Sequence, residues 1–349
     1  MKIAFHTLGC KLNFSETSFI ANNLKEEGVE ITDFSEKSDV YVFNTCSVTE
    51  NANKECRQII KKIKKISPNS IITIMGCYAQ LKPEEIKSIE GVNLILGANE
   101  KFKLREYLKN ITNKDSSVVV QPIEKITSFK QSFSENHRTR TFLKIQDGCN
   151  YKCSFCTIPL ARGKSRSNTI NNVIKEINEL KQKNIKEIVL TGVNIGDFGI
   201  NGKNESFLEL LNEVIKIPEI RVRISSIEPN LLSNEILDLV LKSNNIVPHF
   251  HIPLQSGSDK ILKLMRRRYK TQNYKNLILK IKKYNPSVCI GADVIVGFPG
   301  EEESDFNDTV NFIKSLPISY LHVFSYSERE NTVAKKLEKI VPIIERKRR

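Results

Sequence analysis

No run of 18 or more apolar residues occurs in this 349-residue sequence, which excludes a helix able to span a bilayer. The start, Met1 to His6, has neither the apolar core nor the cleavage site of a signal peptide. Without an export signal, eight cysteines fit a reducing, cytoplasmic setting, where clustered Cys means metal more often than disulfide. Negative charge is scarce: 40 Asp and Glu against 54 Lys and Arg leave a net charge of +14. That balance suits a polyanionic partner such as RNA. Lys outnumbers Arg, so part of the excess reflects a composition rich in Lys, Ile and Asn. The local clusters Lys61 to Lys65 and Arg266 to Arg268 are better candidates for phosphate contacts, the alternative being solvated helix faces.

Six of the eight cysteines fall into two sets of three. Cys149, Cys153 and Cys156 form a C-x3-C-x2-C loop directly after a strand-like run, Arg140 to Gln146. Thiolates are the usual ligands of iron–sulfur clusters, and three of them leave one iron of a cubane open for chemistry. A structural zinc site would need a fourth Cys or His close by, and the nearest histidine, His137, precedes the strand.

Cys10, Cys46 and Cys77 are dozens of residues apart, but each ends a short apolar run and precedes a helical segment, at 16–27, 50–66 and 83–90. Strands alternating with helices predict parallel βαβ units. Functional groups in such sheets gather beyond the carboxyl ends of the strands, so these three cysteines are expected to converge. Gly9 and Gly76 precede two of them, as tight turns require. The alternative is three cysteines buried as small core residues. Cys56, inside a helix, and Cys289, entering a strand, are assigned to packing.

Residues 1–110 read as one α/β unit and 111–136 as a linker with one short strand at Val118 to Val120. From 137 to 340 the rhythm resumes. Strands are predicted at 141–146, 186–190, 221–226, 248–252, 290–296 and 320–324. Helices are predicted at 170–183, 206–216, 232–243, 258–267, 271–284 and 303–315. Six such units predict a partial barrel, short of the eight of a closed one. The loops after these strands are polar and Gly-rich. His249 and His251, two apart on a strand, share one face and read equally well as core residues. Residues 341–349 read as a basic tail.

These motifs carry a resemblance. The compact loop, with Phe155 within it, resembles radical S-adenosylmethionine (SAM) enzymes, and Gln146 to Cys149 before it and Pro159 to Ser167 after it continue the narrower match that follows. Leu8 to Asn13, Asn44 to Thr49 and Gly76 to Gln80 are similar to the N-terminal domain of the radical-SAM methylthiotransferases. The resemblance covers residue 1 to about 340. It implies an N-terminal Rossmann-like parallel-sheet domain followed by a partial (β/α)6 radical-SAM barrel. Cys10-Lys11-Leu12-Asn13 with Glu16 and Thr17, and Cys46 to Thr49, resemble the branch acting on threonylcarbamoyl-adenosine at position 37 of tRNA. Sister branches modify isopentenyl-adenosine or a ribosomal-protein aspartate. Members usually end in a small TRAM β-barrel, which is not seen here.

The resemblance implies two [4Fe-4S] clusters and SAM as cofactors. Cys149, Cys153 and Cys156 would hold the cluster that cleaves SAM to a 5′-deoxyadenosyl radical. Cys10, Cys46 and Cys77 would hold the cluster that carries the transferred sulfur. Gly192 to Asn194 would meet the SAM methionine, and Glu228 and Gln255 its ribose or methionine. The radical would take hydrogen from C2 of adenosine 37 in the anticodon loop, where Phe14, Tyr78, Tyr151 and Phe155 are aromatics available for stacking. An electron donor such as flavodoxin or ferredoxin is expected, with the sulfur donor unassigned and no membrane partner. Two other readings stay open: a second cluster used only for electron transfer, and a non-catalytic, zinc-dependent RNA-binding protein.

Overall fold

The computed structural model describes residues 1–46, 50–134, 140–200 and 205–349, with side chains undescribed over 50–53. His137 and the Ser47 to Thr49 part of the second motif lie outside the described residues. The chain forms two compact units: Met1–Lys144 with Thr157–Lys164, and Ile145–Cys156 with Ser165–Arg349.

The first unit holds β1 (Lys2–Thr7), α1 (Lys11–Glu26), β2 (Glu30–Thr32), β3 (Val40–Thr45), α2 (Glu50–Ile66) and β4 (Ile71–Gly76). It continues with α3 (Cys77–Leu81), α4 (Pro83–Lys87), β5 (Leu94–Leu96), α5 (Leu104–Leu108), β6 (Ser117–Val119), β7 (Ser132–Phe133), β8 (Thr141–Lys144) and α6 (Ile158–Arg162). Six strands make a sheet in the order β2-β1-β3-β4-β5-β6, and every pair is parallel. Alternate strand residues face opposite sides. Tyr41, Phe43, Ile72 and Ile74 pack under Cys56, Ile60 and Ile63 of α2 and Ile86 of α4. Val40, Val42, Leu94 and Leu96 pack under Ile20 and Leu24 of α1 and Leu104 and Leu108 of α5. The order reverses between β1 and β3, the switch point at which open parallel sheets leave a crevice.

Two expectations shift here. The helix expected from residue 16 begins at Lys11, with Cys10 extended as its N-cap. Its start was hidden because Asn13, Ser15, Glu16, Thr17 and Ser18 are polar yet buried, so no apolar period marks it. Within 111–136, Ser117–Val119 is the sixth strand of the sheet, paired with β5, and Ser132–Phe133 pairs antiparallel with β8.

The second unit holds β9 (Gln146–Asp147), β10 (Arg166–Ser167), α7 (Ile170–Gln182), β11 (Glu187–Thr191), α8 (Phe207–Val214) and β12 (Arg221–Ile224). It continues with α9 (Asn234–Lys242), β13 (His249–His251), α10 (Asp259–Leu264), α11 (Thr271–Tyr284), β14 (Cys289–Val296), α12 (Glu303–Lys314), β15 (Tyr320–Ser325) and α13 (Ile343–Arg348). β11 pairs with β12 and β13–β14–β15 pair in turn, all parallel; single bridges at Val222–Ile246 and Ser226–His251 link the two sets. Strands β11 to β15 alternate with helices within this unit, the βα rhythm of the partial (β/α)6 barrel expected. β9 and β10 form an unforeseen antiparallel pair, joined also by the Arg166–Asp147 ion pair at 3.1 Å. The C-terminal residues are docked: Arg346 is buried against the Val341 and Tyr326 carbonyls, and Arg349 pairs with Glu301 at 2.5 Å.

Candidate functional site

In the first unit, Thr7 of β1 lies beside Asn44 of β3, and Thr45 of β3 lies beside Gly76 of β4. Cys10, Cys46 and Cys77 therefore follow the carboxyl ends of three neighbouring strands, at the switch point. Cys10 is exposed, and Cys46 and Cys77 are buried. Close approach explains the glycines. A Cβ on Gly9 would lie 2.5 Å from Cys46 Cβ and 3.0 Å from its Sγ. One on Gly76 would lie 2.5 Å from Asn44 Oδ1 and 2.6 Å from the Thr45 carbonyl. Both have φ near +100°, where side chains other than hydrogen are strained.

Behind these cysteines lies a buried charge cluster that the sequence reading did not foresee. Glu16 is completely buried. Its Oε1 meets Lys144 Nζ at 3.0 Å and Arg162 at 3.1 Å; its Oε2 meets Lys101 Nζ at 2.5 Å and Arg162 at 3.1 Å. Arg162 also donates to Asn13 Oδ1 at 2.6 Å, and Asn13 Nδ2 donates to the Leu8 and Thr45 carbonyls at 3.0 and 3.1 Å. Asn13 thus ties the turn before Cys10 to the turn before Cys46. Burial alone would raise the Glu16 pKa, but Arg162, Lys101 and Lys144 outweigh it and hold the carboxyl well below its usual range. Lys101 shifts down, because burial and its fellow cations outweigh Glu16. Burial pushes the Cys77 thiol up, and Arg162 and Lys101 pull it partly back. A metal would displace that proton on binding.

In the second unit, the loop after β9 carries Cys149, Cys153 and Cys156, all half-buried. Burial pushes the Cys149 thiol up to about 11, against the Tyr151 N–H that donates to its Sγ at 3.3 Å. Ser154 anchors the loop, its N–H and hydroxyl donating to the Met265 and Leu264 carbonyls at 3.0 and 2.7 Å. Phe155 packs edge-on to Phe298.

Arg266 to Arg268 require a correction. Arg266 and Arg268 are exposed, but Arg267 between them is not part of a solvated run. The Arg267 side chain is 3% exposed; it donates to Cys153 Sγ at 3.3 Å and pairs with Glu228. Arg268 lies over the Tyr151 ring at 3.6 Å. The signal available was Glu228, an isolated acid in a strand-end loop. Lys61, Lys62 and Lys65 are exposed on α2, whereas Lys64 is turned onto the Ser70 carbonyl at 2.7 Å. The stacking aromatics are engaged as well. Tyr78 is buried and bonds Glu85 at 2.5 Å, Phe14 packs edge-on to Phe142, and Tyr151 accepts from Asn230 at 2.8 Å.

Gly192 and Asn194 follow β11, Glu228 follows β12, and Gln255 follows β13, so all stand beyond the carboxyl ends of neighbouring parallel strands. A Cβ on Gly192 would meet Gln146 Oε1 at 2.8 Å. The Asn194 N–H donates to that same oxygen at 2.8 Å, and its Nδ2 donates to Asp197 Oδ2 at 2.8 Å. Asn194 Oδ1 is buried without a protein partner. Gln255 has φ +67°, and its backbone pairs with Asp293 and Ile295 of β14. His249 is half-buried and His251 buried, and both bond the Tyr320 hydroxyl, at 2.9 and 3.2 Å.

A doubly wound parallel sheet followed by parallel βα units and a three-cysteine loop defines the radical-SAM class. The model of the Radical SAM superfamily matches residues 143–313, and that of the Uncharacterized protein family UPF0004 matches residues 2–97. Threonylcarbamoyladenosine tRNA methylthiotransferase MtaB of Bacillus subtilis is 42% identical over 346 residues, covering 96% of this chain and 76% of that protein. Its counterpart in Aquifex aeolicus is 40% identical over 351 residues, covering 98% of this chain and 84% of that protein. The tRNA-2-methylthio-N(6)-dimethylallyladenosine synthase of Clostridium botulinum is 36% identical over 345 residues, covering 96% and 77%. Among solved structures, the radical SAM methyltransferase TsrM of Kitasatospora setae, with cobalamin and a [4Fe-4S] cluster bound, superposes with TM-score 0.69 at 14% identity, covering 96% and 77%. That likeness is one of fold. The chain belongs to the radical-SAM methylthiotransferase family, enzymes that use SAM and [4Fe-4S] clusters.

Proposed function

We infer that this enzyme converts N6-threonylcarbamoyladenosine at position 37 of tRNA to its 2-methylthio derivative. The observation that carries the reading is 40–42% identity, over nearly the whole chain, to enzymes named for that nucleoside. The dimethylallyladenosine-type relative, at 36%, lies within the 35–42% span of the relatives named for threonylcarbamoyladenosine.

We assign Cys149, Cys153 and Cys156 to the cluster that opens SAM, and Cys10, Cys46 and Cys77 to a second cluster that carries sulfur. Three thiols in each set support this, as do the turns at Gly9 and Gly76, which admit close approach beside the first set. When bound, the clusters supply the electron that cleaves SAM and the sulfur that is transferred. Arg267 donates to a thiolate ligand, a charge-assisted bond that favours the more negative state. The Arg162–Glu16–Lys cluster supplies positive charge behind the other set. Gly192, Asn194, Glu228 and Gln255 are assigned to SAM. The orphaned Asn194 Oδ1 supports this, since an ammonium donor would satisfy it. Lys61, Lys62 and Lys65 are the exposed basic residues assigned to tRNA phosphates. A flavodoxin or ferredoxin as electron donor and a cytoplasmic location complete the reading; among the described residues no helix is long and apolar enough to cross a membrane.

The test is mass spectrometry of nucleosides. Anaerobically reconstituted protein is incubated with SAM, a reductant, sulfide and tRNA bearing threonylcarbamoyladenosine. A methylthio form that depends on SAM is expected. SAM cleavage without that product would move the assignment to another substrate.

A further inference from the structure

We propose that His251, Asp293 and His322 bind one divalent first-row cation such as zinc, at a site that uses neither cysteine set and does not rest on the reading above. The three residues come from adjacent parallel strands, β13, β14 and β15. His251 is in register with Gly291, Gly291 with Tyr320, and Asp293 with His322. Residues two apart share a face, so His249, His251, Asp293, Tyr320 and His322 all project from one side of this sheet.

The donor atoms are already gathered. One ring nitrogen from each histidine and a carboxylate oxygen lie within 4.8 Å of one another. His251 Nε2 is 2.9 Å from Asp293 Oδ1, and His322 Nδ1 is 3.2 Å from the same oxygen. An ion held at roughly 2.0–2.2 Å from each donor would leave its ligands about 3–3.5 Å apart, so little movement is needed. Two imidazoles and one carboxylate make a borderline set that favours zinc and its neighbours over calcium or magnesium.

The surroundings are also those of a ligand. Metal-bound histidines have their second ring nitrogen fixed by a hydrogen bond. Here His251 Nδ1 lies 3.2 Å from the Tyr320 hydroxyl, which also meets His249 Nε2 at 2.9 Å. Gly291 makes this possible, because a Cβ there would sit 2.1 Å from the Tyr320 ring. The side chains are 9%, 22% and 55% exposed for His251, Asp293 and His322, so one flank of the site is open. Water or an anionic oxygen of a ligand would complete the coordination there.

The test uses cluster-loaded protein under anaerobic conditions, so that the cysteines of the two sets are already occupied. It is equilibrated with zinc, desalted and assayed by elemental mass spectrometry. One retained zinc per chain is expected in the wild type, and none in His322→Ala or Asp293→Asn. His322 is half exposed, so its variant should keep native circular dichroism and iron content. Zinc-edge absorption should show only nitrogen and oxygen neighbours. Equal zinc in wild type and both variants, sulfur neighbours at about 2.3 Å, or no retained zinc would each overturn the proposal. The last result would mean two ring N–H groups simply donate to Asp293.

Discussion

Replacing Glu16 with Gln removes the carboxylate shared by Lys101, Lys144 and Arg162. All four side chains are at most 3% exposed, so water offers little screening. Breaking a buried ion pair by deleting one partner costs about 3–5 kcal/mol, because the remaining charge stays desolvated. Gln keeps the volume and one acceptor oxygen, so the loss is electrostatic rather than a cavity. A cation deletion such as Lys144→Met should cost less, about 1.5–3 kcal/mol, since Glu16 keeps two partners. The order, Glu16→Gln worse than Lys144→Met, is the sharp part of the prediction. Two units make a single global transition an unsafe readout. Hydrogen exchange of the α1 peptide, Lys11–Glu26, reads the loss locally, and a cost of about 3–5 kcal/mol predicts exchange faster by roughly two to four orders of magnitude. The pH dependence has a definite sign. The Glu16 pKa is depressed in the folded chain, so its contribution is complete above the ordinary carboxyl pKa of about 4 and fades as pH falls toward the folded value. Protection of α1 that is equal in wild type and Glu16→Gln near neutral pH would refute the reasoning.

Gly76→Ala would press a Cβ to 2.5 Å from Asn44 Oδ1 at φ +100°; it should lower iron content after reconstitution and cost about 1–3 kcal/mol, readable by iron analysis and by hydrogen exchange of the β4 and α3 peptides. Cys153→Ala should abolish SAM cleavage, whereas Cys46→Ala should spare it and abolish sulfur insertion, as chromatography of 5′-deoxyadenosine and of nucleosides would show; sulfur insertion by Cys46→Ala would end the division of labour. Arg267→Gln withdraws a cation from Cys153 Sγ, so potentiometric electron paramagnetic resonance should find the SAM-cleaving cluster harder to reduce by about 60 mV, one tenfold change for one electron. Lys61→Glu with Lys65→Glu should weaken tRNA binding and flatten its salt dependence, with SAM cleavage unchanged.

The α/β layering was legible because its signal is local. Apolar runs of five or six residues separated by helical segments announce β1, β3, β4 and the later strands, and each cysteine is written at the end of its run. That Cys10, Cys46 and Cys77 follow the carboxyl ends of neighbouring strands is then a consequence of parallel pairing. What stayed hidden is polar and distant in the chain. Glu16 meets Lys101, Lys144 and Arg162 across 85, 128 and 146 residues, and periodicity carries no trace of such contacts. The burial that gives these charges their strength also removes the usual mark of a buried helix face, an apolar stripe. Arg267 misled in the opposite direction, since three successive arginines read as a solvated basic patch. In the fold their side chains diverge, and Arg267 turns inward because Glu228 and Cys153 give it a carboxylate and a sulfur to bind. His251, Asp293 and His322 escaped for the reason that hid the charge cluster. Each looks unremarkable on its own strand, and only the register of three parallel strands brings their donor atoms to a common point.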